Sequence, residues 1–182
     1  MADVKGLENK LDEVFVKNAP FQLPKEAKEW IVKYLPYINL FLGVLTLWAA
    51  YGLYHWATVA NNWIDTANRI AETYGISGYG STSRLSLMVW ISLAVLVIQA
   101  VIYIAAFSGT RDKKKSGWDL LFLAMGINIV YGFITLFTDY GSVGNLIGYL
   151  IGSVIGLYLL FQIRSYYLPK KSTETSKKPS KK

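Results

Sequence analysis

Four long stretches of the chain contain no charged side chain, and they set the first expectation for the fold. Charge-free runs of 31, 26, 19 and 24 residues separate these pairs of charged residues: Lys33 and Asp65, Arg84 and Arg111, Asp119 and Asp139, and Asp139 and Arg164. A helix needs about 20 residues to cross a hydrocarbon core of about 30 Å. Because the apolar runs do not alternate with polar residues, helices are favoured over barrel strands. The pattern predicts an all-α polytopic membrane protein with an antiparallel four-transmembrane-helix bundle.

The predicted spans divide the chain into three parts. The spans cover about residues 37–59, 85–107, 119–138 and 142–163. They lie in a transmembrane domain over residues 36–168, which follows an amphipathic helical segment over residues 1–35. The tail over residues 169–182 contains only Lys, Ser, Thr, Glu and Pro. Because such a segment cannot bury a core, the tail is predicted to be disordered.

The distribution of basic residues predicts the orientation of the spans. Seventeen of the 19 Lys and Arg residues lie on one side of the predicted spans, and only Arg69 and Arg84 lie on the other. The positive-inside rule assigns the basic side to the cytoplasm, so both termini are predicted to be cytoplasmic and the protein to lie in the cell membrane. Basic residues beside the spans are expected to contact lipid headgroups. The candidates are Lys113, Lys114, Lys115, Lys170 and Lys171.

The N-terminal segment has an amphipathic pattern of its own. In residues 3–17, apolar side chains recur at helical spacing: Val4, Leu7, Leu11, Val14 and Phe15. The opposite face carries acids and Lys in balance, whereas surface-binding helices usually have a basic polar face. We therefore favour a helix folded back on the bundle or its headgroups over a partner-docking helix or a membrane-surface sensor.

The segments that flank the first span are also expected to be helical. A short helix precedes Pro36, which either opens the span or kinks a longer helix. Residues 60–84 begin with an amphipathic pattern that Asn61 or Asn62 could start and Gly75 could end. The favoured interpretation of this outer segment is an interfacial helix with a slack Gly/Ser-rich connector. A lid or partner site is the alternative.

A regular stripe of glycines marks the fourth predicted span. Gly144, Gly148, Gly152 and Gly156 follow one another at intervals of four residues. Small residues at this spacing let a second helix backbone approach closely, which is how helices associate where the hydrophobic effect is absent. The stripe therefore predicts a helix-packing face. Contact within the chain is favoured, and contact between subunits is the alternative.

Three polar side chains of the predicted spans are candidates for a role beyond packing. Gln99 and Asn128 are near the middle of the second and third spans, and His55 is near the outer end of the first. Polar groups at such depth need partners. An interhelical hydrogen bond between the amides is favoured over a substrate or ion path. A hydrogen bond is likewise favoured for His55 over a metal, haem or proton site.

Several kinds of chemistry are excluded or disfavoured by composition. The chain has no Cys, which excludes disulfides and thiolate metal sites. Apart from Asp119 at one end of the third span, no Asp, Glu, Lys or Arg lies inside a span, which weighs against a proton-coupled carrier. Nucleotide loops, zinc motifs and hydrolase triads are absent from the sequence. We therefore predict no catalytic residue, metal site or cofactor.

The expected partners and function follow from the charge distribution and from the kinds of chemistry that the composition leaves open. The net charge of +7 lies mostly beside the spans, and the basic tail has no aromatic residue to stack on a base, so nucleic acid is not expected. The expected partners are membrane lipids, with a second copy or another membrane protein as further candidates. The favoured function is a membrane scaffold or assembly partner. A small oligomeric channel or facilitator is the alternative, and a lipid- or cofactor-binding membrane protein is the second alternative.

Overall fold

The protein is all-helical in residues 2–76, 87–137 and 143–168, which a computed structural model describes. In chain order the helices are α1 (Ala2–Asp12), α2 (Lys25–Thr73), α3 (Leu87–Arg111), α4 (Lys115–Leu136) and α5 (Val143–Gln162). A π-helical turn over Glu13–Lys17 extends α1, and a 3₁₀ turn over Arg164–Tyr166 follows α5. The all-α prediction is confirmed for these residues. The predicted tail, with Lys170 and Lys171, and the Gly/Ser-rich connector from residue 77 lie outside them.

The longest helix, α2, joins segments that the sequence pattern treats as separate. Its 49 residues span about 73 Å at a rise of 1.5 Å per residue. Pro36 lies inside α2, so the predicted boundary between residues 35 and 36 falls within one helix. A helix start at Asn61 or Asn62 is also wrong, because α2 runs through both residues without a break. The predicted end is confirmed, since Gly75 adopts a φ of +67° just beyond Thr73.

The turn between α3 and α4 brings two glycines into close contact. A Cβ atom added at Gly109 would lie 2.6 Å from Gly117 Cα, so neither position has room for a side chain. The chain reverses through Lys113, whose φ of 53° lies in the left-handed region. The Lys114 N–H donates to the Gly109 carbonyl at 2.8 Å, which is the long-range bond of a Schellman motif. This tight reversal makes α3 and α4 antiparallel.

The four long helices form an antiparallel row rather than a closed ring. The extensive contact faces join α2 to α3, α3 to α4, and α4 to α5. Small residues allow close approach along the row: a Cβ atom added at Gly43 would lie 2.7 Å from Ile104 Cγ1, and Ala100 is fully buried. Among the described residues, no extensive face joins α2 to α5. The predicted four-helix bundle is therefore not confirmed, and α5 is the outermost member of the row.

The N-terminal helix folds back on one end of the row, which we call the basic end. This end holds α1, the α3–α4 turn and the last described residues. Trp118 lies in its buried core, where its indole N–H donates to the Leu160 carbonyl at 2.9 Å. The Phe15 ring, just after α1, packs against Phe161 in a tilted arrangement with ring centroids 5.9 Å apart. The Gln162 side-chain amide donates to the Phe15 carbonyl at 2.8 Å. These contacts agree with the favoured interpretation of a helix folded back on the row.

Three helices are long and apolar enough to cross a membrane, namely α2, the Val89–Arg111 part of α3, and α4. The apolar part of α5, Leu146–Gln162, is shorter, so a fourth span stays a prediction. Large apolar side chains are exposed on the row, among them Trp48 at 73%. Because soluble monomers rarely expose so much contiguous apolar surface, the fold is consistent with a membrane protein.

Candidate functional site

A cavity of about 650 Å³ lies between α4 and α5, and we call it the α4–α5 groove. Its wall is formed by Met125, Asn128, Gly144, Gly148, Tyr149, Gly152 and Ser153. The groove therefore brings together two features that are far apart in the sequence. One is the glycine stripe of α5, and the other is the deep amide of α4.

The glycine stripe forms the open wall of the groove. A Cβ atom added at Gly148 or Gly152 would meet no atom within 4 Å. Gly156 differs, because a Cβ atom there would lie 2.8 Å from Met125 Cε. Close contact with α4 is thus present at Gly156 and missing at Gly148 and Gly152. Of these three glycines, only Gly156 makes the contact within the chain that the stripe was expected to make, and Gly148 and Gly152 face unfilled space.

The two deep amides bond each other between α3 and α4. The Gln99 side-chain amide donates to Asn128 Oδ1 at 2.6 Å. Gln99 is buried, whereas Asn128 is half-buried and also interacts with the Tyr103 side chain. The favoured interpretation of an interhelical hydrogen bond agrees with this geometry. Asn128 contributes to the groove wall as well, so one partner of the pair remains accessible from the groove.

A second polar contact between α3 and α4 was missed at the sequence level. The Ser92 and Tyr131 hydroxyls are 2.8 Å apart, and the Tyr131 ring lies edge-on to Tyr149 of the groove wall, with centroids 6.2 Å apart. Spacing could have indicated this contact, because Ser92 precedes Gln99 by seven residues and so shares its helix face. Asn39 of α2 was also missed, and its side chain is buried.

His55 lies on α2 and is exposed, with its ring stacked near Tyr51 at a centroid distance of 6.1 Å. It does not belong to the groove wall. Within the described ranges, no group of three His, Asp or Glu side chains could hold a metal ion. The described fold therefore gives no support to a metal, haem or proton site at His55.

Of the five Lys residues expected to contact lipid headgroups, the three that the structure describes have different environments. Lys114 pairs with Asp112 at 2.7 Å, and this hydrogen bond and charge lower the pKa of the Asp112 carboxyl. Lys115 pairs with Asp119 at 2.6 Å and also lies 3.5 Å from Glu8. Asp119 lies inside α4, one turn beyond the helix start at Lys115, so α4 begins before the predicted span of about 119–138. Lys113 lines a separate recess at the basic end.

Comparison with protein-family models, curated proteins and solved structures finds no match. The wall of the α4–α5 groove is built from glycines, Met125, one amide and the two hydroxyl-bearing side chains of Tyr149 and Ser153, and its described residues include no carboxylate, Lys, Arg or His. Such a wall suits a helix backbone or an apolar chain, and it lacks the paired acid and base groups that catalysis commonly uses.

Proposed function

We propose that the protein is a membrane scaffold that assembles through the α4–α5 groove, with α5 of a second copy as the helix that fills it. The observation that carries this proposal is the open space in front of Gly148 and Gly152. Between membrane helices, association depends on close van der Waals contact, which small-residue faces permit. An unfilled face of this kind on the outermost helix of the row favours contact between chains.

A second copy is favoured because the glycine stripe is self-complementary. In a two-fold symmetric contact, the same surface of each chain faces its equivalent. Gly144 and Gly156 are twelve residues apart, or about 18 Å along the helix axis. This length is over half of a hydrocarbon core of about 30 Å. Two facing stripes would let the α5 backbones approach closely along that distance.

In this proposal all four long helices cross the cell membrane. The basic end faces the cytoplasm, because it carries most of the Lys and Arg residues. Both termini then lie on the cytoplasmic side, and Lys170 and Lys171 of the tail lie near the anionic leaflet. The α2 residues beyond about Val59 extend on the opposite side.

A channel or facilitator has less support. Its basis in the sequence is the depth of Gln99 and Asn128, and these amides are bonded to each other. Polar residues that form a path generally face a water-filled cavity, whereas Gln99 is buried and does not line the groove.

Disulfide cross-linking tests the proposal directly, because the chain has no Cys of its own. A disulfide requires the two Cα atoms to lie within about 7 Å. Gly148→Cys should give a covalent dimer when native membranes are oxidised, since the stripe of one copy faces the stripe of the other. Ile147→Cys is the matched control. It lies at the same depth, is exposed, and points about 100° away around the helix.

The yield of covalent dimer decides the outcome. Equal yields from Gly148→Cys and Ile147→Cys would contradict a symmetric contact through the stripe. In native mass spectrometry, Gly152→Ile should convert the dimer to a monomer with an unchanged melting temperature, because Gly152 lines a groove of about 650 Å³ and an added Cβ atom there meets no atom within 4 Å. If a different membrane protein co-purifies and is lost from Gly152→Ile, that protein rather than a second copy fills the groove.

A further inference from the structure

A second cavity, of about 450 Å³, lies at the basic end, and we call it the basic pocket. Three cations from different parts of the chain line it: Lys33 of α2, Arg111 at the end of α3, and Lys113 in the α3–α4 turn. Tyr37 and Tyr166 contribute to the same wall. The volume falls in the range of small-molecule sites, about 300–1,000 Å³. The fold thus concentrates positive charge in one recess of ligand size.

The three cations take part in no ion pair in the part of the chain that the structure describes. The neighbouring Lys114 and Lys115 are paired with acids at 2.7 Å and 2.6 Å. No Asp or Glu oxygen of the described residues lies within 4 Å of the side-chain nitrogens of Lys33, Arg111 or Lys113. The Lys33 ammonium lies 5.2 Å from the centroid of the Tyr34 ring. This arrangement leaves the pocket cations available to an anionic ligand.

One carboxylate, Glu29, belongs to the pocket wall. It lies 3.8 Å from Lys25 on the preceding turn of α2, so part of its charge is offset. Three cations therefore face one partly compensated anion. The excess of positive charge favours an anionic ligand, and the carboxylate disfavours one with more than a single negative charge in contact with it.

The pocket lies where the apolar surface of the row meets its polar end. Tyr37 is exposed, and its ring contacts Phe107 edge-on with centroids 6.3 Å apart. One turn further along α3, the apolar run ends at Arg111. A ligand in the basic pocket can therefore place a charged group among the cations and an apolar chain along the Tyr37–Phe107 surface.

We propose that the basic pocket binds the phosphodiester headgroup of an anionic membrane lipid. The Arg111 guanidinium is suited to bind two phosphate oxygens at once. Lys33 and Lys113 add point charges, and Tyr166, which also lines the pocket, carries a hydroxyl that can donate. A zwitterionic lipid binds less well, because its ammonium group meets the same cations. This proposal uses the membrane placement proposed above, but it does not depend on the α4–α5 groove.

Native mass spectrometry of the full-length protein with added lipid tests the assignment. The probes are short-chain phosphatidylglycerol and phosphatidylcholine in mixed micelles. Phosphatidylglycerol should be retained preferentially, and Arg111→Gln or Lys33→Gln should each weaken its retention about fivefold, the effect of one cation near an anionic headgroup. Lys114→Gln is the matched control, since it removes the same charge from the same turn but lies outside the pocket. Arg111→Lys should restore part of the retention.

Each result has a definite meaning. If Lys114→Gln weakens retention as much as Arg111→Gln, the attraction is a diffuse charge effect and the pocket assignment fails. If inorganic phosphate binds the protein and phosphatidylglycerol does not, the ligand is a free phosphate rather than a lipid. Circular dichroism melts confirm that the variants remain folded. Because α5 is unchanged in all of them, failure here leaves the cross-linking test of the groove unaffected.

Discussion

The Arg164 guanidinium and the Glu8 carboxylate lie 2.7 Å apart and join the last described turn of the chain to its first helix. Both side chains are largely buried, with 12% and 7% of their surface exposed. Arg164 also reaches Asp12 at 3.1 Å, and its guanidinium lies 5.3 Å from the centroid of the Trp118 ring. Residues that are 156 positions apart in the sequence are thus held in one charge network.

Removing Arg164 should release the N-terminal helix. Arg164→Met leaves the Glu8 carboxylate buried without its main partner, and breaking a buried pair in this way costs about 3 kcal/mol. We expect a lower melting temperature in detergent and faster proteolysis within residues 2–17. Lys25→Ala is the control, because the Lys25–Glu29 pair is exposed and such pairs contribute less than about 1 kcal/mol. Equal melting temperatures for the two variants would contradict a stabilising role for the network.

The glycine contact at the α3–α4 turn predicts that a Gly→Ala substitution, which usually stabilises a helix, destabilises the protein at Gly117. Replacing Gly by Ala inside a helix normally stabilises it by up to about 1 kcal/mol. At Gly117 the added Cβ atom would overlap the backbone of Gly109 and Thr110, so Gly117→Ala should destabilise the protein by about 1–3 kcal/mol. Gly126→Ala in the same helix is the matched control, since no atom lies within 4 Å of the new Cβ, and it should be neutral or stabilising. Denaturation in detergent compares the two, and a stable Gly117→Ala would refute the close contact.

The amide pair predicts an asymmetric double-mutant cycle. Asn128→Leu leaves the buried Gln99 without its acceptor and should cost about 1–2 kcal/mol. Gln99→Leu should cost less, because Asn128 is half-buried and keeps its interaction with Tyr103. The double variant should be more stable than the sum of the single effects implies. Additive effects on the free energy of unfolding would show that the two amides do not interact.

Tyr167 predicts a stability change at alkaline pH. Burial raises the pKa of the Tyr167 phenol from 10.0 to about 12. The folded state holds the neutral phenol more strongly than the unfolded state does. The stability that comes from this preference is complete below pH 10 and is lost as the pH rises to about 12. Tyr167→Phe has no such loss, so it should gain stability relative to the parent protein between these pH values.

Tyr167→Phe and the parent protein should differ little in stability at pH 7, because the Tyr167 hydroxyl has no hydrogen-bond partner among the described residues. Melting temperatures at pH 7 and pH 11 provide the measurement. Tyr166→Phe is the control for the neighbouring, half-buried phenol. If Tyr167→Phe and the parent protein lose stability in parallel from pH 10 to 12, the phenol is not buried in the folded state.

Helix formation and the approximate positions of the long helices follow from the sequence by itself. Charge-free runs and their apolar character are local properties, and a run of about 20 such residues has few alternatives to a helix. The helix end at Gly75 was also predictable, because a left-handed residue with no Cβ atom commonly ends a helix. The continuity of α2 through Asn61 and Asn62 was not predictable. A residue that can cap a helix marks a boundary only when the chain turns away there.

Only the tertiary structure decided which side chains meet. The amide pair Gln99–Asn128, the glycine contact at Gly117 and the ion pair Glu8–Arg164 each depend on how two helices are rotated and shifted against each other. That geometry results from interlocking side chains over the whole contact, which no single segment encodes. The glycine stripe shows the same division. Its spacing predicts a helix-packing face on α5, and the arrangement of the helices decided that Gly148 lines an open groove.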